Sequence, residues 1–421
     1  MARPRVLVLS ELYPNPVKPA FGIFVERQTH HLGAFCDVHV VAPVRVFPPL
    51  RLWKEVANPA RFGGAWNEWL GGIRGIPPRD VVNGIPVEYP RYISPPRQFF
   101  HGSWGFFAYP FLRDHIRGLH LDRPFDLIHA HYACPSGVIG LMAQRWMHVP
   151  IVLSIHGADV TYTARQIPIG RMVVRWVFRN VDTILVNSSK TGRLVNELGG
   201  KPGIVRLVRL GGNEELSPNV EANTNSVRTD SRRLSSQNET ITLLSVGYLE
   251  EEKGHAYVLM ALRCLLDEGY SIRYVIVGNG SREHHLKSLA DNLGLAGAVS
   301  FEGYKAHSDV WTYFRNCDIF VLPSWNEAFG VVYIEALGLG KPVIGCAGEG
   351  GPDDLKALGD CIELVEPRDV ASLTHGLKRL IDDPERRRRM GKEGQRIVSR
   401  YYTWSRNAEE TLAIYKELLE K

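Results

Sequence analysis

Leu322-Pro-Ser-Trp-Asn-Glu-Ala-Phe-Gly-Val-Val-Tyr-Ile-Glu-Ala-Leu-Gly-Leu-Gly-Lys-Pro-Val-Ile344 runs from a strand end through a turn into a helix. The apolar Ile319-Phe-Val-Leu322, closed by Pro323, has the composition of a strand buried on both faces, and the residues from Gly330 onward are helical in character. In open α/β sheets such strand-to-helix turns are where ligands bind. Glu335 lies about one turn into the helix, roughly 7 Å along its axis, and helical side chains lean toward the N-terminus. Glu327, in the turn itself, and Glu335 can then face one ligand. The amides near Phe329 and Gly330 are among the unpaired donors that open a helix and attract phosphate oxygens. Carboxylates that hold hydroxyls beside amides that hold phosphate suit a sugar nucleotide. A plainer reading, a capping acid followed by a solvated helix residue, explains the pair taken alone.

Outward from this stretch, short apolar runs alternate with helix-length segments. Val6-Leu-Val-Leu9, residues 38–41, Leu127-Ile128, Ile151-Val-Leu153 and Ile184-Leu-Val186 lie in the first half. Residues 241–246, 274–277, 319–322 and 343–344 lie in the second. Alternation of this kind means parallel sheets covered by helices, and it occurs twice. The chain of 421 residues is long enough for two domains. The expected organisation is an N-terminal Rossmann-like domain over 1–212, a flexible linker over 213–240, a C-terminal Rossmann-like domain over 241–400 and a helix over 401–421. The linker is placed where Ser, Asn, Thr, Glu and Arg replace apolar periodicity.

Composition excludes several classes. With 44% hydrophobic and 23% charged residues this is an ordinary globular chain. No run approaches the roughly 18 to 20 apolar residues of a membrane span, and Met-Ala-Arg-Pro at the start lacks a secretory core, so a cytoplasmic protein is expected. The six cysteines show no CxxC spacing and read as reduced core residues. Net charge is +5, and residues 1–120 hold 14 Lys plus Arg against 8 Asp plus Glu, a balance of +6, so the positive field is N-terminal. Within it, residues 44–120 break the alternation and are rich in Pro, Trp, Phe and Arg, which predicts an irregular insertion of loops and short helices. Two readings of this region stand together: contact with an anionic membrane or lipid-linked acceptor, and a small satellite core under long loops. No nucleic-acid motif accompanies the charge.

Further candidates sit at strand ends. Gly247-Tyr-Leu-Glu-Glu-Glu-Lys-Gly254 follows a buried strand and opens a helix, where a lysine opposes the helix dipole unless an anion is bound. A diphosphate removes that conflict, with Lys253 as its point-charge partner; a solvent pair of Lys253 with Glu251 or Glu252 is the alternative. Val277-Gly-Asn-Gly280, through Gly278, and the loop around Gly22 allow close approach of backbone to a ligand. His156, in Ser154-Ile-His-Gly-Ala-Asp159, projects from the C-terminal edge of the first sheet. His129 and His131 alternate on another strand end, without a third ligand that would make a metal site. No Asp-x-Asp occurs, so charge neutralisation by metal-bound carboxylates is not expected.

Taken in order, these motifs resemble a known family, the retaining glycosyltransferases of family 4 with the two-Rossmann-domain GT-B architecture, whose parallel sheets face a central cleft. The likeness is densest over 241–366 and includes Cys317-Asp-Ile-Phe-Val-Leu-Pro-Ser324, Glu327-Ala-Phe-Gly330, Glu335-Ala-Leu and Gly340-Lys-Pro-Val-Ile344. In the first half it runs through Gly22, His129-Ala-His131, His156-Gly-Ala-Asp159 and Asn187-Ser-Ser189. The stretch from Ser10-Glu-Leu-Tyr-Pro to Phe24-Val-Glu is similar to members that build cell-surface polysaccharides, teichuronic-acid type included.

The resemblance implies a UDP- or GDP-sugar donor, a glycan or lipid-linked acceptor at the inner membrane face, no cofactor and no metal. It implies that Glu335 holds the ribose, that Glu327 with the Phe329 and Gly330 amides holds the donor sugar, and that Lys253 holds the phosphates. His156 would lie beside the reacting sugar, and the Gly22 loop would approach the diphosphate or acceptor. The 401–421 helix would cross back onto the first domain. Two departures stand out: Tyr248 where the family usually has Arg, and Gly211-Gly-Asn where it often has Gly-Val-Asp. The first motivates an alternative, a catalytically weak nucleotide-sugar-binding or scaffold subunit. A Rossmann oxidoreductase would need a Gly-x-Gly-x-x-Gly fingerprint, which this sequence lacks.

Overall fold

The computed structural model describes residues 3–48, 52, 59–96, 100, 102–166, 168–212 and 240–420. The expected linker lies outside these except for Thr240, as do Trp53 and Phe99. The chain divides into two compact units, Met1–Leu210 with Trp404–Lys421, and Gly211–Thr403. Each is a sheet covered by helices.

In the first unit the strands are β1 (Arg5–Leu9), β2 (Asp37–Val41), β3 (Val44–Arg45), β4 (Arg79–Val82), β5 (Ile85–Glu88), β6 (Arg91–Tyr92), β7 (Leu127–His131), β8 (Ile151–Ile155), β9 (Thr183–Val186) and β10 (Val205–Leu207). Eight of them form one sheet in the order β10-β9-β8-β7-β1-β2-β5-β4, while β3 and β6 pair separately. All neighbours in the large sheet are parallel except the β4–β5 hairpin, whose Asn83-Gly84 turn has both residues at positive φ. β1 shows how both faces are used. Leu7 and Leu9 enter one buried cluster, whereas Val6 and Val8 enter the other, as strand alternation requires.

The irregular insertion expected over 44–120 is more regular than its composition indicates. It contains helices Pro59–Arg74 and Trp104–Asp122 and the β4–β5 hairpin. In the longer helix Trp104, Ala108, Tyr109, Leu112 and Ile116 are buried at helical spacing, while Phe106, Phe107 and Phe111 point outward. Apolar side chains on both faces erase the 3.6-residue period. Five cysteines are buried and Cys264 is exposed; all six are free thiols.

The C-terminal helix Trp404–Leu419 belongs to the first unit. Asn407 Oδ1 and Thr411 Oγ1 accept from Gln28 Nε2 at 2.8 and 3.2 Å, and Asn407 Nδ2 donates to the Arg209 carbonyl at 2.7 Å. Tyr415 Oη meets His129 Nδ1 at 2.6 Å, and His129 Nε2 meets Ser154 Oγ at 2.8 Å. Both nitrogens of His129 are thus engaged inside the core, where burial holds its pKa down to about 3.

The second unit has β11 (Ile241–Val246), β12 (Ile272–Val277), β13 (Val299–Gly303), β14 (Ile319–Val321), β15 (Val343–Cys346) and β16 (Ile362–Val365). They form a wholly parallel sheet, β13-β12-β11-β14-β15-β16. This is the doubly wound order in which a crevice opens where the sequence of strands reverses, here between β11 and β14.

Candidate active site

Lys253 comes from the loop after β11 and Glu327 from the loop after β14, so each arrives on one side of that reversal. Their side chains meet: Lys253 Nζ lies 2.5 Å from Glu327 Oε2, with both groups largely buried. The solvent pairing of Lys253 with its own neighbours does not occur; Glu251 is instead the partner of Arg282. Gly254, at φ 75°, ends the short turn Glu251–Lys253 and starts the helix His255–Asp267, and a Cβ there would lie 2.3 Å from the Pro323 carbonyl oxygen. Only glycine brings the two loops this close.

The strand-end loops are tied to each other by backbone. Gly247 donates to Val277, Leu249 to Asn279, Gly278 to Gly303 and Trp325 to Glu252, all at 2.9 to 3.0 Å. At Gly278, φ 142°, a Cβ would sit 1.9 Å from the Gly247 oxygen. His255 stiffens the same loop from beneath. Its Nε2 lies 3.2 Å from the Tyr248 carbonyl oxygen, so that ring nitrogen donates, and its Nδ1 lies 3.3 Å from Tyr274 Oη, which also reaches Ser245 Oγ at 2.8 Å. Burial keeps this imidazole neutral, with a pKa of about 4.

These loops enclose a pocket of about 320 Å³ lined by Lys253, Gly278, Glu327 and Gly330 among the residues foreseen from sequence. Tyr248, Tyr304 and Lys305 line it too. Lys305 was not foreseen, because β13, which delivers it through the Gly303 turn at φ 70°, carries no clear apolar run. Arg282, paired with Glu251, does not line the pocket.

Gly330, at φ 82°, caps the helix Val331–Gly338 and rests on the Tyr333 ring, whose hydroxyl donates to the Leu322 carbonyl at 2.7 Å. Glu349 Oε2 accepts the Glu327 amide at 2.8 Å and fixes the turn; its role has no signal in the sequence. Phe329 and Glu335 are not among the residues that line the pocket. The Phe329 ring is buried, 5.5 Å from that of Tyr402. Glu335 is 9% exposed on the helix, and burial pushes its pKa up to about 7. The solvated alternative for this residue is therefore wrong.

In the first unit the analogous reversal lies between β1 and β7. Gly22, at φ 72°, opens the helix Ile23–Leu32 after β1, and a Cβ there would lie 2.3 Å from the Leu12 carbonyl oxygen. His156 follows β8 and is enclosed by rings: Phe24 at 4.6 Å, Tyr132 at 4.9 Å and a parallel His131 at 5.3 Å. His131 Nδ1 and His156 Nε2 are 3.0 Å apart, so one imidazole donates and the other accepts. Burial lowers the pKa of His156 to about 3 and that of His131 in the same direction. His156 is therefore a neutral hydrogen-bonding group, neither a cation nor an effective base at pH 7.

Tyr132 adopts φ 70°, uncommon for a bulky residue, and its amide bonds to the Ser154 carbonyl at 2.9 Å. Asp159 Oδ1 accepts the Ala133 amide at 2.7 Å, linking the turns after β7 and β8, and burial raises its pKa to about 7. The partnership of His131 with His156 was missed in the sequence, where the two are 25 residues apart and meet only because β7 and β8 are paired.

Comparisons with known proteins identify the family. Residues 226–397 match the family described as glycosyl transferases group 1, and residues 21–211 match the glycosyl transferase 4-like domain. The D-inositol 3-phosphate glycosyltransferase of Thermobifida fusca (strain YX) is 30% identical over 336 residues, covering 74% of each chain. The putative teichuronic acid biosynthesis glycosyltransferase TuaC of Bacillus subtilis (strain 168) is 28% identical over 387 residues, covering 89% of this chain and 88% of its own. Among solved structures, a sucrose-phosphate synthase from Thermosynechococcus elongatus superposes with a TM-score of 0.72 over 99% of both chains at 19% identity, a likeness of fold alone. With both halves matched and a relative at 30% identity covered over 74% of its length, the chain belongs to the family 4 glycosyltransferases of GT-B architecture, enzymes of glycan biosynthesis that take a nucleotide-sugar donor and a glycan acceptor.

Proposed function

We propose that the protein is a retaining, metal-independent glycosyltransferase that moves a sugar from a UDP- or GDP-sugar to a glycan or lipid-linked acceptor in surface polysaccharide synthesis, working at the cytoplasmic face of the membrane. The observation that carries this reading is the Lys253–Glu327 pair, 2.5 Å apart in a pocket at the β11/β14 reversal. An incoming diphosphate competes with Glu327 for the ammonium, which frees the carboxylate to accept hydroxyls of the donor sugar. Glu335, one turn deeper, takes the ribose hydroxyls, and the Phe329 and Gly330 amides complete the donor contacts. Gly278 and Gly22 leave room for backbone to approach the ligand.

In the transfer itself the bond from the anomeric carbon to the diphosphate breaks and one to the acceptor oxygen forms on the same face. The acceptor proton passes to the leaving diphosphate oxygen. Lys253 and Lys305 stabilise the charge that develops there, and His156 supplies a neutral hydrogen bond to the reacting sugar. With Lys305 in the pocket, the absence of Arg at position 248 leaves two cations for the phosphates, which favours an active enzyme over a scaffold subunit. A polysaccharide acceptor is supported by the likeness to a teichuronic acid biosynthesis glycosyltransferase.

Labelled UDP- and GDP-sugars, incubated with the protein and a lipid-linked glycan pool in EDTA, test the proposal. The expected result is transfer with the anomeric configuration kept. A folded protein that neither transfers nor hydrolyses any donor of the panel sinks it, and transfer that stops in EDTA removes metal independence.

A further inference from the structure

One broad surface of the first unit is apolar and is not needed for the chemistry above. Phe100, Phe106, Phe107, Phe111, Ile169 and Met172 are all exposed, Phe111 to 51% and Met172 to 69%. They come from two segments that touch. Phe106 lies 5.6 Å from Trp176, Phe100 lies 5.9 Å from Phe107, and a Cβ on Gly102 would meet the Gly170 Cα at 2.5 Å. The helix Pro168–Asn180 and the start of the helix Trp104–Asp122 therefore present one continuous face. Exposed apolar surface of this extent marks an interaction site.

Charge identifies what covers it. Residues 164–180 contain Arg165, Arg171, Arg175 and Arg179 and no Asp or Glu, and residues 100–113 contain no acid either. Arg165 and Arg171 also line a cavity of about 490 Å³ with Val160, Ala164, Leu194 and Glu197. Among the described residues neither guanidinium has a hydrogen-bond or carboxylate partner. Glu197 offsets one of the two charges and leaves the cavity cationic. A second copy of the chain is a poor match, since a twofold contact sets the same arginines against each other. Aromatic and aliphatic side chains on one side with arginines around them are the composition of a surface that lies in a lipid interface.

We propose that this face docks on an anionic lipid bilayer, its phenylalanines and Met172 entering the headgroup boundary while the Arg165/Arg171 cavity receives a headgroup phosphate. No helix among the described residues is long and apolar enough to cross a membrane, so the contact is peripheral. The face extends the expected contact of the 44–120 region to a helix outside it. The inference rests on the proposed function only for its purpose, presentation of a lipid-linked acceptor; vesicle binding is measured without sugar transfer, so either can fail alone.

Co-sedimentation of the full chain with phosphatidylglycerol-containing vesicles and with pure phosphatidylcholine vesicles tests it. Binding to the anionic vesicles alone is expected, and inorganic phosphate should not release it. Arg165→Glu with Arg171→Glu should weaken binding at least tenfold, since each basic residue near an anionic surface contributes about fivefold. Phe107→Ser with Met172→Ser should weaken it comparably. Hydrogen exchange of the unmodified protein on vesicles should show protection over 100–113 and 164–176, which requires no variant to fold. Equal binding to neutral vesicles, no binding to anionic ones, protection elsewhere, or a concentration-dependent dimer dissolved by Phe107→Ser with Met172→Ser would overturn the proposal.

Discussion

The pocket of the second unit and the histidine cluster of the first both stand at the ends of parallel strands, with opposite electrostatics. In the second unit a full positive and a full negative charge meet 2.5 Å apart on loops held by backbone hydrogen bonds and glycines. In the first, imidazoles whose pKa values lie far below the usual 6.5 stack against aromatic rings and share one hydrogen bond. The first arrangement suits a ligand that brings charge of its own, the second one that brings hydroxyls and no charge. The difference teaches which contacts to expect from each: charge compensation from the loops after β11 and β14, and orientation from those after β7 and β8.

The largest effect should follow from breaking the charged pair. Lys253→Met removes the ammonium proposed to hold the phosphates and leaves Glu327 without its partner, so kcat/KM for a donor should fall about 10²- to 10³-fold. Glu327→Ala should come close to this while weakening nucleoside diphosphate binding much less, because the ammonium remains. Steady-state kinetics and calorimetric titration check both. Should Lys253→Met cost less than loss of His156, the assignment of charge compensation to the second unit fails.

How much of this was legible in the sequence follows the same division. Lys253, Glu327, Gly278 and Gly330 stand in short runs directly after apolar strands, and the doubly wound order brings strand ends together, so motif and topology agree. Lys305 and Glu349 were not legible, because their significance depends on the order of the sheet, in which β13 lies two places from β11 and β15 lies beside β14. Glu335 was legible as a position but not as a buried acid, since the burial comes from packing around its helix. His131 looked like one half of a weak metal motif, and its bond to His156 depends on β7 pairing with β8 in the observed register. The helix Trp104–Asp122 was hidden for another reason: its outward phenylalanines fill the polar positions from which amphipathicity is recognised.

An intermediate effect is expected at the neutral cluster. His156→Ala should lower kcat about 10²-fold with little change in the donor KM, as for a hydrogen bond made mainly in the transition state. His131→Asn, which removes only the bond orienting His156, should cost about tenfold, and a larger loss than for His156→Ala would show that the roles are exchanged. pH adds a second measure. Because the folded-state pKa values of His129 and His156 are depressed to about 3, the unfolded chain binds more protons below its ordinary histidine pKa near 6.5. Their contribution to stability is present above that pH and falls on acidification, by on the order of 1 kcal/mol per histidine per pH unit. Denaturant unfolding at pH 7 and pH 5, followed by a probe in the first unit, should show the loss; equal midpoints would mean that the imidazoles are accessible to protons.

The smallest effect has the opposite pH sense and belongs to Glu335. Its folded pKa of about 7 lies above the usual carboxylate value, so in the free enzyme its contribution to stability is present at low pH and declines as pH rises through 7. A ligand whose ribose hydroxyls donate to the carboxylate binds the ionised form and pulls that pKa back down. Donor binding must then release a proton and strengthen between pH 6 and pH 8. If only the ionised fraction is competent, the apparent Kd should fall about tenfold across this range. A nucleotide sugar is the right probe, since a diphosphate esterified at both ends has no proton of its own titrating there. Glu335→Gln should abolish the dependence and bind at every pH with roughly the affinity that the unmodified protein has at pH 6. A Kd that is flat with pH in the unmodified protein would mean that Glu335 meets the ligand protonated or not at all, and the charged character assigned to the second unit would then stop at Lys253, Lys305 and Glu327.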